Sequence, residues 1–402
     1  MIVNIFPIII GYLLGSILPG YLIPKWEDGI DIRTLGDGNP GTTNVKRTLG
    51  FHMAILTGLY DCSKGLLAMF IAKEIFHSQE LVIYLSGISA ILGHVAPFYL
   101  GFRGGRGVAT ATGMLIFTLA KVAVRDISPL ELLNSLIYLS FFTLCIYCST
   151  WDENFLAVTV LPMVALTLIF LVKLSSELVF LLGLISFIFV VSVMNMRRLK
   201  MFTIKSENLP LWRVFIRPAG MSFFFLGMAI SRRALITLIG IVLFVSFIAD
   251  SLRILHKKTG DFLSREITRG FRVYKAKERK RISSITTFLL GVLLTFLLFK
   301  ESIAIASLSF LVFGDMMAKI VGINYGKRVI FNSEAKKTLE GLIGFFSISI
   351  SSAYFLWLSN MLPLWIGIVG AIVASIVEVF PFPVDDNVSV PVISGAIMSF
   401  LL

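Results

Sequence analysis

The stretch "GDGNPGTTN", Gly36–Asn44, sets three glycines, a proline and small polar side chains between long apolar segments. Gly36, Gly38 and Gly41 allow backbone N–H groups to turn toward a bound anion. Asn39, Thr42, Thr43 and Asn44 add neutral donors. Lys46 and Arg47 follow, and an arginine fork suits bidentate contact with phosphate. A second stretch, "GHVAPFYLGFRGGRGVATATG", places Arg103, Gly104, Gly105, Arg106 and Gly107 just before a predicted helix, with His94 ten residues before Gly104. Glycines, positive charge and a helix N-terminus together make an anion site. In "GLYDCSKGLLAM", Asp61 and Lys64 stand three apart on one face of an apolar helix, as an ion pair or as a substrate clamp. In "NMRRLK", Asn195 is a donor at a helix end, beside Arg197 and Arg198.

The C-terminal half carries a different set. "FGDMMAKIVGINYGK" and "KKTLEG" hold Asp315, Gly322, Gly326, Lys327, Lys337, Thr338, Glu340 and Gly341. "EVFPFPVDDN" adds Glu378, Asp385, Asp386 and Asn387. Asp315, Glu378, Asp385 and Asp386 are oxygen ligands of the kind Mg²⁺ takes. Lysines and glycines suit nucleotide phosphates, although neither a Walker A loop nor a protein-kinase loop is present.

These residues need a scaffold, and composition names it. Of 402 residues, 56% are hydrophobic and 15% charged, whereas soluble domains are about a quarter charged. An all-α polytopic membrane protein of about 14 spanning helices in two seven-helix halves is expected. The predicted spans lie near 3–23, 52–76, 80–100, 107–122, 134–150, 154–173 and 176–194, then 211–229, 233–255, 284–299, 302–322, 339–359, 362–377 and 388–402. The first has no basic flank and reads as a span rather than a cleaved signal. The basic connector Asn195–Pro210 divides the halves. With the N-terminus outside, every chemistry-bearing loop falls on one face, together with most of the lysines and arginines. The positive-inside rule makes that face cytoplasmic. Arg125, Arg232 and Arg233 run against the pattern. The net charge of +12 then reflects topology and anionic lipid headgroups rather than nucleic acid. Three cysteines make no disulfide framework, and the basic run 256–283 reads as a contact with anionic membrane.

Residues 1–207 resemble the bacterial acyl-phosphate-dependent glycerol-3-phosphate acyltransferases of the PlsY type. The resemblance rests on Gly36, Gly38, Asn39, Gly41, Thr43, Asn44, Arg47 and Gly50; on Asp61, Lys64 and Gly65; on Gly93, His94 and Pro97; on Phe102, Gly104, Gly105, Gly107, Val108, Ala109 and Thr110; and on Asn195, Arg198 and Leu199. It implies a seven-span domain of the inner membrane with a cytosolic site, and no cofactor. The implied reaction passes an acyl group from acyl phosphate to the 1-hydroxyl of glycerol 3-phosphate, giving lysophosphatidic acid, with the donor's own phosphate as base. Arg47, Asp61, Lys64, His94 and Asn195 would be catalytic. The Gly36–Asn44 loop and Gly104–Gly107 would bind phosphate. The family's serine is Asp37 here, its second-loop lysine is Arg106, and a histidine expected before Asn195 is Ser192. Asp37 is expected to bind glycerol hydroxyls or to pair with Arg47 or Arg106.

Residues 208–402 resemble the dolichol, phytol and CTP-dependent diacylglycerol kinases, on the second set above with Gly314, Ala318 and Pro391. That implies a lipid-alcohol kinase using CTP or ATP and Mg²⁺. Asp315 and Asp386 would be catalytic, Gly322, Gly326, Lys327, Lys337, Thr338, Glu340, Gly341 and Asn387 nucleotide-binding, and the four carboxylates metal-binding. "WRVFIRP" echoes that family's start only loosely. The expectation is therefore a bifunctional phospholipid-synthesis enzyme. Two other readings stand: a working kinase half on a lipid-binding N-terminal module, and a transporter. The kinase's lipid, its nucleotide and the oligomeric state are open at this level.

Overall fold

The computed structural model describes residues 5–198, 231–255, 282–331 and 337–402. The expected span 211–229, the "WRVFIRP" echo and most of the basic run 256–283 lie outside them. Helices dominate, and two compact units are formed. The first takes residues 1–136 and 157–200, the second 137–156 and 201–402.

In the first unit, α1 (Phe6–Ser16) and α2 (Pro19–Glu27) each begin with proline in the first turn, where its missing N–H costs nothing. Pro19 also ends α1, so the expected span 3–23 is a pair of helices bent by 49°. Next, α3 (Thr42–Leu49) forms where a loop is expected. It buries Val45 against Ile32 and Ala54. Then α4 (Phe51–Phe70), α5 (Glu80–Val95), α6 (Val108–Asp126), α7 (Pro129–Thr150), α8 (Glu153–Leu171) and α9 (Ser176–Arg198) follow.

Small residues bring these helices together, as in membrane packing generally. A β-carbon on Gly15 would lie 2.1 Å from the Ala90 carbonyl, and one on Gly93 2.1 Å from that of Tyr12, so α1 and α5 touch backbone to backbone. Likewise Gly113 of α6 seats against Cys62 of α4. Met114, Leu181, Leu184 and Ile185 fill the space between α6 and α9.

The second unit begins inside α7, at Ile137. It continues with α10 (Arg232–Leu255), α11 (Ser284–Leu298) and α12 (Glu301–Ser309), which runs through a wide turn into α13 (Asp315–Tyr325). A short hairpin, β1 (Val329–Phe331) with β2 (Lys337–Thr338), leads into α14 (Leu339–Leu358), α15 (Leu364–Val379) and α16 (Asp386–Leu401). Phe310, Phe345, Ala371 and Met398 centre its core.

Among the described residues nine helices are long and apolar enough to cross a membrane, or ten with the bent pair. The helices α11, α15 and α16 are apolar but shorter. The chain is thus an all-α, multi-pass integral membrane protein. The figure of fourteen counts these short helices and a segment outside the described residues.

Candidate active site

Four of the eight N–H groups of the Gly36–Asn44 loop have local partners. Asp37 N donates to Asn44 Oδ1 at 3.1 Å, Gly38 N to the Leu35 carbonyl at 3.0 Å, Asn39 N to Asp37 Oδ1 at 3.2 Å and Gly41 N to Asn39 Oδ1 at 3.2 Å. Asn44 is buried and also donates from Nδ2 to the Leu35 carbonyl. Gly36 (φ +60°) is required there, since a β-carbon would lie 2.0 Å from Asn44 Oδ1. The expected nest of free amides is therefore narrowed to the C-terminal end of the loop, where α3 begins. What remains open is the start of α3, which has no side-chain cap at Gly41. Thr42 Oγ1, in its first turn, is buried without a hydrogen-bond partner. Arg47 and Thr43 are exposed on the same short helix. Nearby, Arg33 reaches over the Tyr21 ring at 4.9 Å and holds the Asp31 carboxyl below its usual range by hydrogen bonding.

Beneath the second glycine loop lies a buried polar cluster. Lys64 Nζ is fully buried and has three acceptors: Asp61 Oδ1 at 2.8 Å, His94 Nδ1 at 2.7 Å and the Ile17 carbonyl at 3.2 Å. Three acceptors match the three N–H bonds of an ammonium. His94 Nδ1 is then the acceptor, and its proton sits on Nε2. The ring abuts Gly105, where a β-carbon would lie 2.1 Å from Nε2. Gly105 N donates to the His94 carbonyl at 3.0 Å, and Gly104 N to that of Val95 at 2.9 Å. Asp61 and Lys64 thus touch each other and His94, and both are buried.

This cluster shapes the entry to α6. Gly107 adopts φ +74° at its start, and no side chain caps it. Thr110 Oγ1, in the first turn, is buried and unpartnered. Arg106 projects back to the first loop, where its Nη2 pairs with Asp37 Oδ2 at 3.0 Å. That contact joins the two glycine loops, each of which leads into a helix start without a side-chain cap. Phe187 of α9 lies against Gly107. Asn195, eight residues later, stands about 12 Å further along the axis. It is half-buried and makes no hydrogen bond among the described residues.

At the other end of α6, Lys121 and Arg125 both pair with buried Glu177 of α9. Arg125 therefore runs against the charge pattern for a local reason. Arg232 does too, since its Nη2 donates to the Phe296 and Phe299 carbonyls at 2.7 Å and closes the end of α11.

In the second unit the expected site residues separate into local contacts. Lys337 Nζ donates to the Glu378 carboxylate and carbonyl, and to Asp386 Oδ2 at 3.2 Å. Burial pushes the Lys337 ammonium down, but Glu378 and Asp386 outweigh it and hold the group above the ordinary lysine value. Glu340 Oε2 accepts from the amides of Lys327 and Arg328 at 3.0 and 3.2 Å. Thr338 Oγ1 accepts from Gly341 N and caps α14. Gly322 and Gly341 let α13 and α14 approach closely, and Gly326 turns the chain out of α13. Asp315 pairs with Lys319 at 2.7 Å. Asp385 caps α16, and Asn387 Nδ2 donates to Thr287 Oγ1 at 3.2 Å. The four carboxylates expected to hold a metal do not converge. Two share Lys337, one caps a helix and one pairs with Lys319; among the described residues no group of three His, Cys, Asp or Glu side chains is arranged for a metal.

Sequence reasoning missed Asp250, which is buried and accepts from Ser283 N, Thr286 Oγ1 and Arg253 Nη2. Its signal was available: a carboxylate and an arginine three apart inside an apolar span.

Residues 5–202 match the family model described as glycerol-3-phosphate acyltransferase. The glycerol-3-phosphate acyltransferase of Geobacter metallireducens is 48% identical over 124 residues, covering 31% of this chain and 62% of that protein. Its counterpart from Prochlorococcus marinus (strain MIT 9215) is 43% identical over 124 residues, with the same coverage. The chain thus spans about six tenths of the length of these curated relatives. A solved structure of PlsY (YgiH), an integral membrane glycerol 3-phosphate acyltransferase in its glycerol 3-phosphate form, is 32% identical, with a TM-score of 0.38. That match covers 49% of this chain and 91% of the other.

Proposed function

We propose, from the premise that residues 5–202 belong to the glycerol-3-phosphate acyltransferase family, that this region acylates glycerol 3-phosphate with an acyl phosphate. The supporting observation is the 3.0 Å contact between Arg106 and Asp37. Through it the two glycine loops, each leading into an open helix start, are in contact. Both substrates are phosphates, and each helix start suits one of them, with Arg106 beside the start of α6 and Arg47 in the last turn of α3 as the cationic partners. In the step itself the acceptor's hydroxyl oxygen attacks the acyl carbonyl carbon. The bond from that carbon to the phosphate oxygen breaks, and the departing phosphate takes the hydroxyl proton. An acyl phosphate is already activated, so the protein's contribution is orientation and charge stabilisation. Arg47 and Arg106 bind, Asn195 donates from α9, and His94 is held by Lys64 to fix the second loop. The site faces the cytoplasm of an inner membrane in this reading. The test is direct: purified protein given acyl phosphate and glycerol 3-phosphate yields lysophosphatidic acid, and Arg47→Ala abolishes most of it. Absence of product from the wild-type protein overturns the reading.

For residues 208–402 a second reading is a lipid-alcohol kinase using CTP or ATP. Support comes from Lys337, a largely buried ammonium beside two carboxylates at the mouth of α14 and α16. As placed, the carboxylates do not fit a Mg²⁺ ion, so no step is drawn through one. Transfer of label from γ-labelled CTP or ATP to lipid alcohols is expected, and no transfer to any of them removes this reading.

A further inference from the structure

The Asp37–Arg106 pair stands where the acyltransferase reading needs a phosphate. Asp37 is bound into its loop on three sides. Its N–H is held by Asn44 Oδ1, its Oδ1 accepts from Asn39 N, and its Oδ2 takes Arg106 Nη2. Asn44 is itself buried and fixed to the Leu35 carbonyl. The carboxylate is therefore presented at a set position, not swung in on a long flexible stem. Arg106 is equally constrained, because Gly105 on one side is pinned to His94 and Gly107 on the other opens α6. Both side chains of the pair remain about a third exposed, at 32% and 35%, so solvent and a soluble anion can reach them.

We infer that Asp37 is an intramolecular anion that occupies the Arg106 fork until a substrate phosphate displaces it, and so sets this chain's apparent affinity for phosphate substrate. A carboxylate and a phosphate oxygen make the same charge-assisted contact with a guanidinium. At Nη2, the nitrogen Asp37 holds, the two exclude each other, and two anions on one arginine repel. The resident carboxylate therefore subtracts its own pairing free energy from substrate binding. An ion pair this exposed is weak, which limits the effect to about two- to fivefold in affinity. This inference rests on the acyltransferase reading for the identity of the anion, not for the existence of the latch.

The test compares full-length wild type with Asp37→Asn, Asp37→Glu, Arg106→Ala and the Asp37→Asn/Arg106→Ala pair. Initial rates are measured against each phosphate substrate in turn. Asp37→Asn should lower KM for one of them by about two- to fivefold, with kcat nearly unchanged. Asp37→Glu keeps the charge but loses the short-stem contact with Asn39 N, so its KM should fall between wild type and Asp37→Asn. In the Arg106→Ala background, Asp37→Asn should have no further effect on KM. A raised KM or a lost kcat in Asp37→Asn overturns the inference and makes Asp37 a direct ligand of substrate. A gain that persists without Arg106 also overturns it. If the wild type makes no product, equilibrium binding of glycerol 3-phosphate and of inorganic phosphate replaces the rates. Equal affinities for wild type and Asp37→Asn then reject the latch, whereas tighter binding by Asp37→Asn supports it even though the reaction assigned to the site has failed.

Discussion

At the scale of single residues, burial separates side chains that look alike in sequence. Asp61, Lys64 and His94 on one hand, and Asp37, Arg47 and Arg106 on the other, are all ionisable groups within four residues of a glycine. The first three are buried and satisfy one another, while the second three reach solvent. A buried ion pair holds only while both partners are present. Lys64→Met should therefore cost about 3–5 kcal/mol, because it strands Asp61 in an apolar interior. Activity should fall with it, because His94 loses the Lys64 contact that holds its ring under Gly105. The unfolding midpoint of the full-length protein in detergent checks this. A midpoint equal to wild type would mean that Lys64 is neither charged nor structural.

At the scale of elements, the site depends on how closely helices approach. His94 ends α5, and α5 is set by its contact with α1 through Gly11, Gly15 and Gly93. A side chain at Gly15 meets the Ala90 backbone at 2.1 Å, and backbone cannot step aside. Gly15→Leu should push α1 off α5 and reduce acyltransferase turnover by at least about tenfold, an overpacking cost of some 1.4 kcal/mol or more. Gly183→Ala in α9 is the matching control, with nothing within 4 Å of its new methyl group. If both variants keep full activity, helix approach does not govern the site. The element scale is also where reading the sequence fell short. That α3 is a helix was hidden, because "TTNVKRTL" has few apolar residues and gains its order from burying Val45 on Ile32 and Ala54. Conversely, the spans α4, α5, α6, α8 and α9 were legible from hydropathy alone, since lipid demands a continuous apolar run.

At the scale of the whole molecule, the two compact units part within the basic connector, between residues 200 and 201, with one exception. Residues 137–156 belong with the second unit. There Tyr138 stacks on Tyr354 at 4.0 Å, Phe141 meets Phe346 and the Tyr325 hydroxyl bonds to Asp152. A chain cut after residue 207 strips that segment of these partners and exposes its aromatic face. Such a fragment should aggregate or unfold several degrees below the full chain, which size-exclusion chromatography and thermal unfolding will show. A monodisperse fragment as stable as the full protein would show that these contacts are dispensable.

The sequence by itself determined the class of molecule, its helical character and the residues of the two glycine loops. These follow from local physics: apolar runs of membrane length, and glycine where side chains would obstruct. It also named both possible partners for Asp37, Arg47 and Arg106, but could not choose between them. That choice needed tertiary structure, because it depends on where α6 begins relative to a loop seventy residues earlier. The same holds for Asp61 and Lys64, whose spacing fits a clamp as well as a buried strut. Only the packing of α1, α5 and the second loop around them removes water from that pair and makes it a strut. The four carboxylates of the second unit follow the same rule. Their types suit a metal, but convergence is a property of the fold: Glu378 and Asp386 meet on the Lys337 ammonium, while Asp315 pairs with Lys319 and Asp385 caps α16.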